Sequence, residues 1–99
     1  MDEETTKKKI ERYINYTQSV LKDMVVSPPT DPELSSKFHY NISLARQYFE
    51  DSKYYFSRGD LLTSLVCIAY CEGLLDACRN LGWLKYEWDS KGNEKRFVN

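Results

Sequence analysis

The sequence predicts an all-α protein, an up-and-down bundle of three helices followed by an irregular C-terminal tail. Two long segments contain neither proline nor glycine, and all three prolines fall in the short stretch between them. Apolar residues recur through both segments at intervals of three and four, the period of a helix with one buried face. The predicted helices span about residues 3–26, 32–58 and 60–81.

The first predicted helix places its apolar side chains on one face. Because the face repeats with helical spacing up to Met24, we expect the helix to continue to about residue 26. The residues on this face are Ile10, Tyr13, Ile14, Thr17, Val20, Leu21 and Met24.

The proline-rich segment "SPPTDPE" ends the first helix and starts the second. Thr30 with Glu33 is typical of a capping box, whereas Asp31 suits an N-cap with Pro32 at the first helical position. Both alternatives begin a helix at the same place. The residues that recur at helical spacing on its inward face are Leu34, Phe38, Ile42, Ala45, Tyr48, Phe49, Ser52, Tyr55 and Phe56.

The turn "SRGD" predicts that the second and third helices are antiparallel neighbours. Arg58 suits a helix C-terminus, Gly59 fits the left-handed position after it, and Asp60 can cap the next helix. The third helix has Arg79 in its last turn and is expected to stop at Gly82.

The bundle is expected to occupy residues 1–84, with residues 85–99 as a partly mobile tail. Trp83 and Leu84 are predicted to fold back onto the end of the bundle. Leu84, Tyr86 and Trp88 alternate along the chain, which permits a short extended segment.

Composition excludes several classes of function. The 99 residues suffice for one domain, with 41% hydrophobic and 29% charged residues. The net charge of −1 removes the electrostatic case for nucleic-acid binding. We expect that no apolar stretch approaches the roughly 20 residues that span a bilayer, so no membrane partner is expected. The acidic N-terminus does not resemble a signal peptide. The three cysteines do not form the pattern of a disulfide framework. Both observations favour a cytoplasmic protein.

The three cysteines of the third helix lie on one narrow stripe of its helical wheel. Cys71 and Cys78 are about 10 Å apart along the axis, whereas two thiolates on one zinc ion lie within about 4 Å of each other. Cys67 and Cys71 would need two more ligands from elsewhere. We therefore predict that the cysteines pack between helices and that the protein has no metal site and no cofactor.

Glu72, Asp76 and Arg79 share a different arc of the third helix, and Arg46 is expected to face the level of Gly73. One interpretation is a structural ion-pair network between the second and third helices. The other is the floor of a ligand-binding groove. No nucleophile or phosphate-binding loop accompanies the cluster, so we do not expect an enzyme. Nearly every other direction of this helix is apolar, as expected of the helix most surrounded by the others.

The second and third helices resemble the archaeal domain-of-unknown-function family 357. The residues that carry the resemblance are Tyr48, Phe49, Glu50, Asp51, Ser52, Lys53, Tyr54, Gly59, Asp60, Tyr70, Gly73, Leu75, Asp76, Ala77, Arg79, Leu81 and Gly82. It covers about 40 residues and leaves out the first helix and the tail after Leu84. The resemblance implies a three-helix bundle in an archaeal cytoplasm, and it implies no activity.

The leading functional hypothesis is a non-enzymatic module that binds another protein or itself. Aromatic residues make up 14% of the chain, including eight tyrosines, more than a core of this size should contain. Aromatic side chains often anchor protein interfaces. The candidates for the outer surface are Tyr16, Tyr54, Tyr86 and Trp88. The alternative is a small-ligand or nucleotide-binding domain that uses the cluster of Glu72, Asp76, Arg79 and Arg46.

Overall fold

In a computed structural model, which describes residues 2–87, the chain forms three helices and a small antiparallel sheet. The all-α prediction is confirmed. The elements are α1 Glu3–Asp23, β1 Val25–Val26, α2 Pro32–Ser57, α3 Leu61–Asn80 and β2 Leu84–Lys85. The part of the predicted tail from Trp88 onward lies outside the described residues.

The helix boundaries follow the local sequence signals. The carboxylate of Asp31 caps α2 by accepting a hydrogen bond from the backbone N–H of Leu34 at 3.0 Å, with proline in the first turn. The carboxylate of Asp60 caps α3 by accepting from the N–H of Thr63 at 3.1 Å. Gly59 and Gly82 adopt φ angles of 81° and 85°, the left-handed region that a glycine enters without a steric penalty. The capping aspartates and the two glycines therefore predict these helix ends correctly from the local sequence alone.

The end of α1 differs from the prediction. The helix stops at Asp23, and the chain turns into extended backbone at Met24. Val25 then pairs with Lys85, and Val26 with Leu84, as β1 and β2. Two adjacent β-branched residues favour this extended pairing over a further half turn of helix. The extended segment predicted near Leu84 is thus confirmed, and it ties the α1–α2 connection to the end of α3.

The core runs along the bundle between the three helices. Ile10, Phe38, Ile68 and Leu75 are almost fully buried and represent all three helices. Trp83 packs edge-on against Phe38, with ring centroids 5.8 Å apart. The predicted return of the chain onto the bundle end is therefore observed.

Small polar residues hold α2 and α3 close together. Ser52 Oγ donates a hydrogen bond to the carbonyl oxygen of Ser64 at 2.9 Å, and Ser64 Oγ donates to the carbonyl oxygen of Ser52 at 2.8 Å. Both serines are fully buried. Their short side chains permit a close approach of the two backbones, and their hydroxyls stay satisfied in an apolar setting.

Candidate functional site

The predicted cluster on α3 is divided between different neighbours. Glu72 is 2% exposed and faces α1, where Thr17 Oγ1 donates a hydrogen bond to Glu72 Oε2 at 3.0 Å. Thr17 is fully buried as well. The carboxylate of Glu72 is thus enclosed between α1 and α3, which removes it from any surface groove and favours the structural interpretation of this residue.

Asp76 and Arg79 meet at the chain segment that follows β2. Tyr86 Oη donates a hydrogen bond to Asp76 Oδ1 at 2.7 Å. The guanidinium carbon of Arg79 lies 5.0 Å from the centre of the Tyr86 ring, and Arg79 also pairs with Glu87 at 3.8 Å. These contacts attach the segment after β2 to the last two turns of α3.

Tyr86 was expected on the outer surface, and that expectation is wrong, because its side chain is 8% exposed. Burial raises the pKa of Tyr86 well above its usual value. The hydrogen bond to Asp76 and the negative charge of that carboxylate raise it further, while the positive charge of Arg79 acts in the opposite direction. The phenol is therefore held neutral as the donor to Asp76.

Arg46 lines a groove between α1 and α2. The groove has a volume of about 290 Å³ and contains the cations of Lys22, Arg46 and Lys53. Lys53 is already engaged, since its ammonium group lies 3.2 Å from Glu50 and 4.8 Å from the centre of the Phe49 ring. Gln18, Leu21, Phe49 and Glu50 complete the lining. Arg46 thus opens onto a groove whose lining includes none of the three α3 cluster residues.

The cysteines are buried as free thiols. Cys71 is inaccessible to solvent, and Cys67 and Cys78 are nearly so. Burial raises the pKa of Cys71 to about 12, with a further increase from the charge of Glu72 and a decrease from that of Arg46. Burial also raises the pKa values of Cys67 and Cys78. Within residues 2–87, no three His, Cys, Asp or Glu side chains lie close enough to share a metal ion.

The other candidate aromatics occupy different environments. Tyr54 is 52% exposed, with its ring against Tyr55 and beneath the guanidinium of Arg58. Tyr16 is half-buried on α1. Trp88 lies outside the described residues. Tyr54 is therefore the one of these candidates whose described surroundings leave a large aromatic surface to solvent.

The largest unexpected feature is the solvent side of α3. The residues of α3 that are exposed there are uncharged, and all but the last are apolar or glycine: Leu62, Val66, Ala69, Tyr70, Gly73, Ala77 and Asn80. We call the six residues from Leu62 to Ala77 in this set, together with the adjoining Leu81, the outer face of α3. Leu62 is 74% exposed, Val66 58% and Leu81 60%.

The third helix contacts α1, α2 and β2, as expected of the helix most surrounded by the others, but this side of it is left uncovered. The helices α1 and α2 and the strand β2 cover only part of the surface of α3, and the uncovered part is apolar. The helix is also long and apolar enough, by length and composition, to cross a membrane. The sequence-based statement that no segment comes near that length was therefore too strong, although the core helix of a bundle passes the same test.

The family comparison covers most of the chain. The profile described as "Protein of unknown function (DUF357)" matches residues 12–84. The chain belongs to the DUF357 family. This confirms the resemblance found in α2 and α3, and it corrects its extent, because the match begins within α1 at Arg12. No curated protein and no solved structure matches the chain significantly.

For this DUF357 protein, sequence reasoning missed two contacts and one exposed surface that the structure shows. Thr17 was assigned only to the apolar face of α1, although a threonine among larger apolar residues is a signal of a buried hydrogen bond. The Tyr86–Asp76 contact depends on where the chain turns after β2, which no local pattern fixes. The outer face of α3 was visible in the sequence as apolar residues, but not as exposed ones.

Proposed function

We propose that this DUF357 protein is a non-enzymatic interaction module that binds a protein partner through the outer face of α3. The observation that carries the proposal is the absence of any charged side chain among the exposed residues of this 20-residue helix. Contiguous exposed apolar surface on a small protein is typical of interaction sites.

The chemistry of the face supports protein binding. Tyr70 is 50% exposed and its ring lies 4.6 Å from that of Tyr48 on α2. An exposed tyrosine held by a neighbouring ring is a rigid anchor of the kind that dominates interfaces. Leu62 and Val66 provide the aliphatic surface around it, and burying such side chains contributes roughly 1.5 to 3 kcal/mol each.

The alternative of a ligand site at the α3 cluster has less support. Glu72 is enclosed against α1, and Asp76 accepts a hydrogen bond from Tyr86. The groove that does open to solvent lies between α1 and α2. A cytoplasmic and archaeal setting remains the expectation from the sequence.

Affinity capture with matched variants tests the proposal. The wild-type chain, Val66→Glu and Val25→Glu are each immobilised and exposed to a lysate of the source cells. Val25 is 57% exposed, nearly the same as Val66, but it lies in β1, so it controls for the added charge. We expect partners retained by the wild type and by Val25→Glu to be lost from Val66→Glu. Equal retention by all three chains would contradict the proposal.

A further inference from the structure

We propose that the partner of the outer face of α3 is a second copy of the same chain, which packs its own α3 across it in the antiparallel direction. This inference rests on the proposed function and names the occupant of the same surface. The pairing joins two three-helix bundles into a two-fold symmetric dimer, in which both copies contribute the same face.

Apart from Ala69, the residues of the face have the same spacing when they are read from either end. The large and small residues follow one another at intervals of four, four, three, four and four: Leu62, Val66, Tyr70, Gly73, Ala77 and Leu81. Only a symmetric spacing can stay in register when an antiparallel copy is laid against it. The midpoint of this pattern lies between Cys71 and Glu72, which places the two-fold axis at the middle of α3.

The sizes of the residues are also complementary in this register. Tyr70 of one copy meets Gly73 of the other, and Val66 meets Ala77. At the two ends of the contact, Leu62 meets Leu81. In the middle of the contact, each bulky side chain therefore faces a small residue. This arrangement lets two helices interdigitate without voids.

Gly73 provides an independent argument. A glycine inside a helix is less favourable than an alanine, and a Cβ added at Gly73 would meet nothing within 4 Å. The folded monomer therefore contains no steric reason for a glycine at this position. A Tyr70 ring from a second copy would occupy that open space, which would explain why a glycine stands at this position.

The charge pattern is consistent with self-pairing. A two-fold interface brings identical residues near one another, so a charged face would bring like charges together. The exposed residues of α3 carry no charge. The charged groups beside the face are engaged within the chain, since Asp76 accepts from Tyr86 and Arg79 pairs with Glu87.

The contact area indicates a reversible dimer. A helix of 20 residues is about 30 Å long and about 10 Å wide, so its face provides a footprint of roughly 300 Å² per copy. Standard interfaces bury about 800 Å² per partner. We therefore expect a weak association that dissociates on dilution.

Sedimentation velocity of the purified chain, from the low micromolar to the millimolar range, tests the association. We expect wild type and Val25→Glu to shift from monomer to dimer with the same dissociation constant, and Val66→Glu to weaken the dimer at least tenfold, or about 1.4 kcal/mol. Circular dichroism verifies that each variant is folded. A wild-type chain that remains monomeric at the highest concentration overturns the inference.

Cross-linking tests the direction of the pairing. In the antiparallel register, position 62 of one copy faces position 81 of the other, while the two positions 62 are about 28 Å apart. A disulfide needs Cα atoms within about 7 Å. We expect a mixture of Leu62→Cys and Leu81→Cys chains to form disulfide-linked heterodimers under oxidation, and neither variant alone to form a homodimer. Homodimers of the single variants without heterodimers would indicate a parallel pair and overturn the inference.

The two proposals fail in different ways. If the wild type is monomeric at every concentration and the capture experiment still retains another protein through Val66, the second copy is the wrong occupant and the proposed function stands. If all three immobilised chains retain the same proteins and Val66→Glu dimerises like the wild type, both proposals fail.

Discussion

The first and third helices are almost equal in length, 21 and 20 residues, but their exposed residues differ in polarity. Every exposed residue of α1 is polar or charged, and its buried face is apolar apart from Thr17. In α3 the exposed residues are uncharged, while the carboxylate of Glu72 is buried. The bundle therefore has one helix suited to solvent on its outside and one that is not.

This difference separates the residues that stabilise the fold from the surface that we propose binds a partner. The exposed side of α1 carries polar and charged residues, and ion pairs on such a surface contribute little to stability. The outer face of α3 leaves apolar surface in water, which no requirement of the three-helix fold explains. The buried side of α3 specifies the bundle, through Ser64, Cys71 and Glu72, and leaves the opposite side available for a partner.

The buried carboxylate of α3 gives the largest expected effect. Replacing Glu72 by alanine removes the acceptor of the Thr17 hydroxyl and leaves a cavity between α1 and α3. We expect the free energy of unfolding, measured by urea denaturation, to fall by about 3 kcal/mol. The matched change Glu11→Ala, on the exposed face of α1, should stay within about 0.5 kcal/mol of the wild type. Similar small losses for both variants would contradict the asymmetry between the two helices.

Removing the Tyr86 hydroxyl has a smaller expected effect. Tyr86→Phe should lower the free energy of unfolding by about 1 kcal/mol at neutral pH, because the hydrogen bond from Tyr86 to Asp76 is lost. The control Tyr40→Phe alters a side chain that is 66% exposed and should change little.

The same variant tests the pH dependence. The pKa of Tyr86 is raised above 10.0 by folding, so the unfolded chain loses this proton first as the pH increases. The contribution is fully present below about pH 10, and above it stability should fall by up to about 1.4 kcal/mol per pH unit for this group. We expect Tyr86→Phe to show a shallower loss than the wild type above pH 10. Equal slopes would contradict the buried, neutral phenol.

The smallest expected effect on stability comes from making α3 resemble α1. Leu62 is 74% exposed, so Leu62→Lys should change the free energy of unfolding by less than about 0.5 kcal/mol. The variant should nevertheless bind less of a fluorescent dye that reports exposed apolar surface, compared under dilute conditions. A large loss of stability would show that Leu62 belongs to the core.

The fold could be predicted from the sequence because its helices carry local signals. Pro32 with Asp31 starts α2, and Gly59 with Asp60 separates α2 from α3, and each signal acts within a few residues. The end of α1 was missed because Val25 and Val26 pair with Lys85 and Leu84, which are distant in the sequence. The spacing of apolar residues along a helix does not reveal a pairing between residues that are distant in the sequence.

The candidate site was harder to predict because α3 is apolar in nearly every direction. A helical wheel locates residues relative to one another, but it cannot show which side two neighbouring helices leave open. Glu72 and Asp76 share an arc with Arg79, yet Glu72 faces Thr17 on α1 while Asp76 contacts Tyr86. Which residue each of these side chains contacts depends on how the neighbouring elements pack against α3. That packing is a property of the assembled bundle.

Gly73→Ala tests the central claim most directly, because the unpartnered monomer and the dimer respond in opposite directions. The added methyl group meets open space in the monomer. Measured at a concentration where the chain is monomeric, the free energy of unfolding should therefore rise by about 0.5 to 1 kcal/mol. The same methyl group crowds Tyr70 of the second copy, so the dissociation constant should rise about tenfold. A more stable monomer with unchanged or tighter self-association would contradict the account.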